Sequence, residues 1–503
     1  MAKQNALLLD ITGIQKFIFS SNKLKENLGA SYLVSNLFDE FLMKLSIKPK
    51  MLANTTEPDG YIGGGNALLF FNSTEEAEKY LEELTLEILI YAPGISLIAA
   101  VGEIDNANFL QTKDALFKKL NHNKSTYLTQ TVIPRHGITA GCQSSGYSMD
   151  VWNSTYEKYV SAATNAKLTA YPNAKKDTYN KYQEILKDYR FPDEIEHLGQ
   201  SKGSENHIAI VHIDGNSMGE RFKNIGSLED TRQLSKDVEN AISKSFKSLL
   251  RVIISDLNEK ILDNDLTIRP EEDKKTVPIR PIIMGGDDIT FVCDGRMGMY
   301  YAKIFMEEFE KQNGENGETL KLSSCAGVAI TKTKYPFYKG YQLAEALCAN
   351  AKSRRREKSD NGSWLDFHIA YGGFSGTLNE IREIHYETTR GSLIYRPYKI
   401  SDSGEFGFER FLTNVKELNK ERGGKKVFPN NKLKELKEVL TLGKEAALTF
   451  ITEMDARELY FPVFDGKKYH KELYDDTNNI TPYFDMLELL EYYPKYELNG
   501  SDK

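Results

Sequence analysis

The sequence predicts an α+β chain built on one motif used twice, with a helical insert between the copies and a helical C-terminal domain. Three observations carry this. Short apolar runs end on a carboxylate at Asp10 and again at Asp214. Each is followed by a helical stretch and then by a glycine hairpin, Gly63-Gly64-Gly65-Asn66 in the first copy and Gly285-Gly286-Asp287-Asp288 in the second. Each hairpin leads into a further helix and an apolar strand, Leu97–Val101 and Ser324–Val328. Strand, helix, hairpin, helix, strand is the order of a ferredoxin-like split βαβ unit.

In the first copy, residues 6–19 read as a buried strand, a turn and a helix start, and 24–45 as a helix with apolar residues at helical spacing. Residues 61–71 form the hairpin, 75–89 a helix and 94–102 a strand. Residues 135–205 are polar and rich in Ser, Asn, Lys and Tyr, with helical segments expected at 151–168 and 173–189. The second copy starts with His207-Ile-Ala-Ile-Val-His-Ile-Asp214, followed by a long amphipathic helix over 228–261 and a charged loop at 271–275. After its hairpin come a helix at 297–310, a loop at 313–317, a strand at 320–330, a helix from Tyr341 to 358 and a strand at 363–370. From about 376 onward the chain is mostly helical and charged, with a basic loop at 420–426. The expected domains are therefore 1–134, 135–205, 206–375 and 376–503.

Composition narrows the class. The chain has 503 residues, too many for one ordinary core. Its 40% apolar and 27% charged content is that of a globular protein. A net charge of −7 argues against a globally basic nucleic-acid coat. Four widely spaced cysteines offer no disulfide framework. No signal peptide and no membrane-length apolar run is evident, so a cytoplasmic protein without a membrane partner is expected.

The chemistry sits at the strand ends. Adjacent buried strands ending on Asp214 and on Asp287/Asp288 converge three carboxylates, an oxygen-only cluster suited to Mg²⁺ or Mn²⁺ with substrate phosphates completing the shell. The alternative is plain turn chemistry, for which Asp and Gly are equally suited. The first hairpin has lost its carboxylates: Gly65 and Asn66 cannot supply a charged metal shell, so the first copy is expected to be structural or to cradle substrate.

Asp-Gly-Asn-Ser-Met-Gly-Glu at 214–220 and Gly-Gly-Asp-Asp at 285–288 resemble the catalytic palm of the large subunit of type III CRISPR effector complexes. Ser324–Ile330, Tyr335–Tyr338, Leu343–Leu347, Ala351-Lys352 and Tyr395-Arg-Pro-Tyr398 follow the order of that family's motifs. The resemblance implies two palm domains, one degenerate and one competent, and a metal-dependent nucleotidyl transferase of the oligoadenylate-cyclase type. It implies ATP as substrate, an adenylate second messenger as product, and other effector subunits, guide RNA and target RNA as partners. On this reading Asp214, Asp287 and Asp288 are catalytic and hold the metal. Gly215, Asn216, Gly285, Gly286, Lys352, Gly63, Gly64 and Gly65 bind nucleotide, and Arg354, Arg355 and Arg356 are candidates for RNA backbone contacts. Asn216 departs from the family, which often carries a second carboxylate there. Cys142-Gln-Ser-Ser-Gly146 resembles the start of a zinc insert but has Ser145 at the second ligand position, so no structural zinc is expected. None of the eight histidines forms a His-Asp doublet, so the nuclease domain that often opens the family is expected to be absent. Two other functions stay open: a non-catalytic scaffold subunit, and a stand-alone cyclase of another antiphage system.

Overall fold

In the computed structural model the described residues are 3–126, 137–201, 206–271, 274–314, 317–371, 376–388, 391–402, 404–422, 425–461, 473–475 and 479–499. The expected domain boundaries at 134/135, 205/206 and 375/376 fall at stretches outside them, as do parts of the loops at 271–275, 313–317 and 420–426.

The first unit runs β1 (Gln4–Thr12), α1 (Ile14–Ile18), α2 (Leu24–Leu42), β2 (Tyr61–Gly63), β3 (Asn66–Phe71), α3 (Thr74–Tyr91), β4 (Ser96–Ile104) and α4 (Phe109–Thr126). Its sheet order is β2-β3-β1-β4. Alternation along β1 divides the core: Leu7, Leu9 and Ile11 face α2 and α3, while Ala6 and Leu8 face α4.

The insert departs from expectation. Residues 151–160 form a hairpin, β5 (Val151–Asn153) and β6 (Lys158–Val160), where helix was expected. Val151 pairs with Val160 and Trp152 with Tyr159, the latter rings 5.1 Å apart, and such β-branched and aromatic cross-strand pairs favour a ladder over a helix. The two expected helical segments are one helix, α5 (Ala162–Leu186), which runs through Pro172. Tertiary packing outweighs the proline. A Cβ on Gly29 of α2 would lie 1.8 Å from the Lys167 carbonyl oxygen, so the two helix backbones touch there. The buried Lys167 ammonium donates to the Phe17 carbonyl at 2.5 Å and to Ser20 Oγ at 2.7 Å. Burial pulls its pKa down to about 8. Further along, Tyr182 and Leu186 of α5 enter the core of the second unit, so the helix joins both cores.

The Cys142 turn is a closed cluster. The thiol lies 3.5 Å from Thr164 Oγ1, Ser145 Oγ is 2.8 Å from Ser161 Oγ, and Ser161 Oγ donates to Thr164 Oγ1 at 3.1 Å. Ser144 donates to the buried Glu26 at 2.9 Å. Three hydroxyls and one thiol thus occupy the cluster and satisfy one another.

Short strands β7 (Tyr189–Arg190) and β8 (Gln200–Ser201) precede the second unit. That unit comprises β9 (His207–Gly215), α6 (Met218–Asn224), α7 (Leu228–Asn258), the short strands β10 (Leu266–Thr267), β11 (Pro270–Glu271) and β12 (Lys274–Thr276), then β13 (Ile279–Gly285), β14 (Asp288–Asp294), α8 (Gly298–Glu310), β15 (Ser324–Lys332), α9 (Phe337–Glu357) and β16 (Trp364–Ile369). β15 starts at Ser324, later than the expected 320: Lys321 has a φ of 48°, which no strand accommodates. The sheet order is β13-β14-β9-β15-β16-β19, so its first four strands repeat the order of the first sheet.

The C-terminal region consists of α10 (Leu378–His385), β17 (Glu387–Thr388), β18 (Gly391–Ser392), β19 (Tyr398–Lys399), α11 (Phe408–Asn419), β20 (Glu421–Arg422), β21 (Lys425–Lys426), α12 (Asn430–Thr441), α13 (Lys444–Ala456), α14 (Tyr483–Glu491) and α15 (Lys495–Leu498). It is held to the second unit through the Tyr395–Tyr398 motif. The buried Arg396 guanidinium meets Asp485 at 3.1 Å and Glu488 at 2.6 Å and lies over the Phe367 ring at 4.2 Å. Among the described residues no helix is long and apolar enough to cross a membrane.

Candidate active site

Register places the carboxylates. β14 runs antiparallel to β9 with Asp288 directly opposite Asp214, and β15 puts Cys325 on the other side of Asp214. β13 and β14 close through Gly285 opposite Asp288, which leaves Gly286 and Asp287 as the turn. Gly286 has a φ of 63°, a left-handed conformation open to glycine at little cost. The first unit has the same register: Asp10 stands opposite Asn66 and Ile98, and Gly63 opposite Asn66.

Asp287 and Asp288 are half-buried, not the exposed turn residues that a hairpin tip suggests. Burial, then the charge of Asp214, pushes Asp287 up to about 6. Burial, then Asp214 and Asp287, holds Asp288 well above the usual carboxylate range. The cluster therefore carries more negative charge than its surroundings compensate, the condition a divalent cation relieves. Ligand atoms of His212, Asp214 and Asp288 all lie within 4.8 Å of one another. Asp214 and Asp288 thus offer hard oxygen donors close enough to share a divalent cation, and Asp287 stands beside them in the turn.

Lys352, in the last turns of α9, pairs with Asp214. Burial works to lower its pKa, but Asp214 outweighs that and the net shift is upward. His212 was not singled out in the sequence. It sits two residues before Asp214, hence on the same face of β9, and its Nδ1 lies 3.1 Å from Thr290 Oγ1. Burial takes its pKa down to about 4, which keeps the imidazole neutral. The strand period was the signal that could have found it.

The glycines act mainly through space. A Cβ on Gly215 would lie 3.0 Å from Asp287 Cβ and 3.1 Å from Met218 Cγ, so a larger residue would displace Asp287. Among the described residues nothing lies within 4 Å of the Gly285 Cβ position, whereas a Cβ on Gly286 would come 3.2 Å from the Gly64 Cα. The two glycine hairpins thus meet tip to tip. Gly63 lies against Ser235 of α7 and Gly65 against Ile14. Asn216 is buried, its amide donating to Ser323 Oγ at 3.0 Å and to the Gly362 carbonyl at 3.4 Å, while its Oδ1 has no hydrogen-bond partner among the described residues. Arg354 lies over the Phe406 ring and Arg355 donates to the Asp360 carbonyl at 2.9 Å, while Arg356 is exposed.

The sequence missed one pairing altogether. Lys124 at the end of α4 meets Asp10 at 2.7 Å, in the position that Lys352 of α9 has toward Asp214. The first unit keeps the Asp–Lys pair and lacks the hairpin carboxylates.

Residues 207–360 match the family model described as Cas10/Cmr2, second palm domain. No curated protein matches the sequence. Among solved structures, the chain is similar to Csm1 of T. onnurineus, with a TM-score of 0.54 and 15% identity over 99% of this chain and 70% of that one. It is similar to the Csm1-Csm4 cassette in complex with pppApA, with a TM-score of 0.53 and 14% identity over 97% of this chain and 69% of that one. The cassette in complex with AMPPNP gives a TM-score of 0.52 at 15% identity, over 97% of this chain and 69% of that one. At these identities the likeness is one of fold. With two units of the same strand order, the second matching that palm model, the chain has an α+β, two-palm architecture similar in fold to Csm1.

Proposed function

We propose that this protein is a metal-dependent nucleotidyl transferase that converts ATP into an adenylate second messenger, a cyclic oligoadenylate or an AMP conjugate. The observation that carries the reading is the direct pairing of Asp214 with Asp288 beside Asp287, in a half-buried cluster where two of the three carboxylates are held above their usual range. Solved Csm1-Csm4 cassettes similar in fold carry pppApA or AMPPNP, which favours adenine nucleotides as substrates here. They also favour assembly with other type III CRISPR subunits, and hence work alongside guide and target RNA.

Asp214, Asp287 and Asp288 would hold Mg²⁺ or Mn²⁺, which supplies activation of a 3′-hydroxyl and stabilises charge on the α-phosphate and pyrophosphate. Lys352 pairs with Asp214 and has two further N–H donors for triphosphate oxygens. Gly215, lacking a Cβ, leaves the room that Asp287 occupies. Neutral His212, fixed by Thr290, supports the strand beneath Asp214 without adding charge. The first palm, through Gly63–Gly65 and the Asp10–Lys124 pair, would place the acceptor nucleotide against the donor, a gain in rate through positioning.

The test is to incubate the purified protein with labelled ATP and Mg²⁺ or Mn²⁺, alone and within its complex with target RNA. Product that depends on the metal and on Asp287/Asp288 is expected. Absence of product in both settings favours the scaffold reading, and full activity without a complex favours the stand-alone cyclase.

A further inference from the structure

A basic cavity lies at the opposite end of β13 from the hairpin. It has a volume of about 380 Å³, and its wall includes Lys175 and Tyr179 of α5, Arg190 and Phe191, Lys274 of β12 and Arg280 of β13. Arg280 is 2% exposed, and its Nε and Nη2 have no hydrogen-bond partner among the described residues. Its guanidinium lies 5.4 Å from the centroid of the Phe191 ring. Burying a cation whose donors go unused is costly, so the cavity beside it calls for an anion. Of the nearby carboxylates, Asp193 takes Lys175 at 2.8 Å and Arg190 at 2.9 Å, both on Oδ2, and Glu271 takes His197 at 2.5 Å; among the described residues neither carboxylate bonds to Arg280 Nε or Nη2. Lys274 adds a further charge, lying over the Tyr179 ring at 5.5 Å.

We propose that this cavity is a binding site for a nucleoside polyphosphate, separate from the Asp214 centre. Arg280 and Lys274 take the phosphates, since guanidinium donors match phosphate oxygens in pairs. Tyr179 and Phe191 supply the aromatic faces a base stacks on. The volume lies within the usual range of small-ligand sites. Arg280 is paired with Val292 in the ladder that ends at Gly285 and Asp288, about 16 Å away at strand spacing. Occupancy at one end of β13 therefore bears on a strand that forms the active hairpin at the other.

The test is calorimetric titration of the full chain with ADP in EDTA, where no divalent cation is present to recruit the nucleotide to the Asp214 centre. One equivalent of ADP is expected to bind, and Asp287→Asn/Asp288→Asn is expected to bind it equally well. Lys274→Glu should weaken binding at least tenfold, and Tyr179→Ala, at a position 38% exposed, keeps the test open should Arg280→Met fail to fold. No ADP binding overturns the proposal, as does binding lost in Asp287→Asn/Asp288→Asn and kept in Lys274→Glu and Tyr179→Ala. Inorganic phosphate binding as tightly as ADP overturns the nucleoside assignment, and so does binding of a short oligoribonucleotide where ADP does not bind.

Discussion

Lys124 holds Asp10 in the first palm as Lys352 holds Asp214 in the second. What separates the two palms is the hairpin. Gly65 and Asn66 stand where Asp287 and Asp288 crowd Asp214 in the second copy. Asymmetry of charge at one turn, on two sheets of the same strand order, is the basis for assigning catalysis to the second palm.

Replacing Asp287 and Asp288 by Asn should abolish nucleotide product and leave the metal-free protein as stable as the parent or more so. Both carboxylates are held above their usual range, so the folded state disfavours their ionised forms. Relief on the order of 1 kcal/mol raises the melting temperature by ~2–4 °C for a domain of this size. Labelled-ATP assays and thermal melts in EDTA read the two outcomes. Normal product from the double variant sinks the catalytic assignment.

Lys352→Gln should move two constants in opposite directions. Without the ammonium beside Asp214 the cluster is more negative, so Mn²⁺ binds more tightly. The triphosphate loses a cation, so KM for ATP rises, by about tenfold for a lost interaction of about 1.4 kcal/mol. Mn²⁺ titration and steady-state kinetics check this. If KM stays put, Lys352 serves only Asp214.

Gly286→Ala should destabilise more than Gly64→Ala. Both residues have φ near +60°, which costs an L-residue roughly 1–2 kcal/mol. Only the first forces a Cβ to 3.2 Å from the opposite backbone, against 3.8 Å for the second. Chemical denaturation of the two variants gives the order. Gly64→Val should also slow product formation while leaving Mn²⁺ binding intact; turnover at the parental rate would reduce the first palm to a structural partner.

Arg396→Met should be among the most damaging single changes outside the active site. It strands Asp485 and Glu488, both fully buried, and loss of one partner from such a group costs roughly 3–5 kcal/mol. Urea unfolding measures it. Adding Asp485→Asn and Glu488→Gln should recover part of the loss, which distinguishes unpaired charge from lost packing.

Periodicity and punctuation made much legible from residues alone. Strand runs ending on Asp10 and Asp214, the two glycine hairpins, and the long helices are local signals, and the match of Leu97–Val101 to Ser324–Val328 has the register of the two sheets, with Ile98 beside Asp10 and Cys325 beside Asp214. Three things were decided only by tertiary structure. The continuous α5 follows from its contact with α2, which outweighs Pro172, and the 151–160 hairpin from cross-strand pairs that outweigh helix propensity. The half-buried Asp287 and Asp288 sit at a hairpin tip that meets the first palm's hairpin, Gly286 against Gly64, a contact between residues more than 200 positions apart. The pairs Lys124–Asp10 and Lys352–Asp214 depend on where each terminal helix crosses its sheet. Local sequence sets a strand's period and a turn's backbone; which charges share a low-dielectric space is set by packing between distant segments.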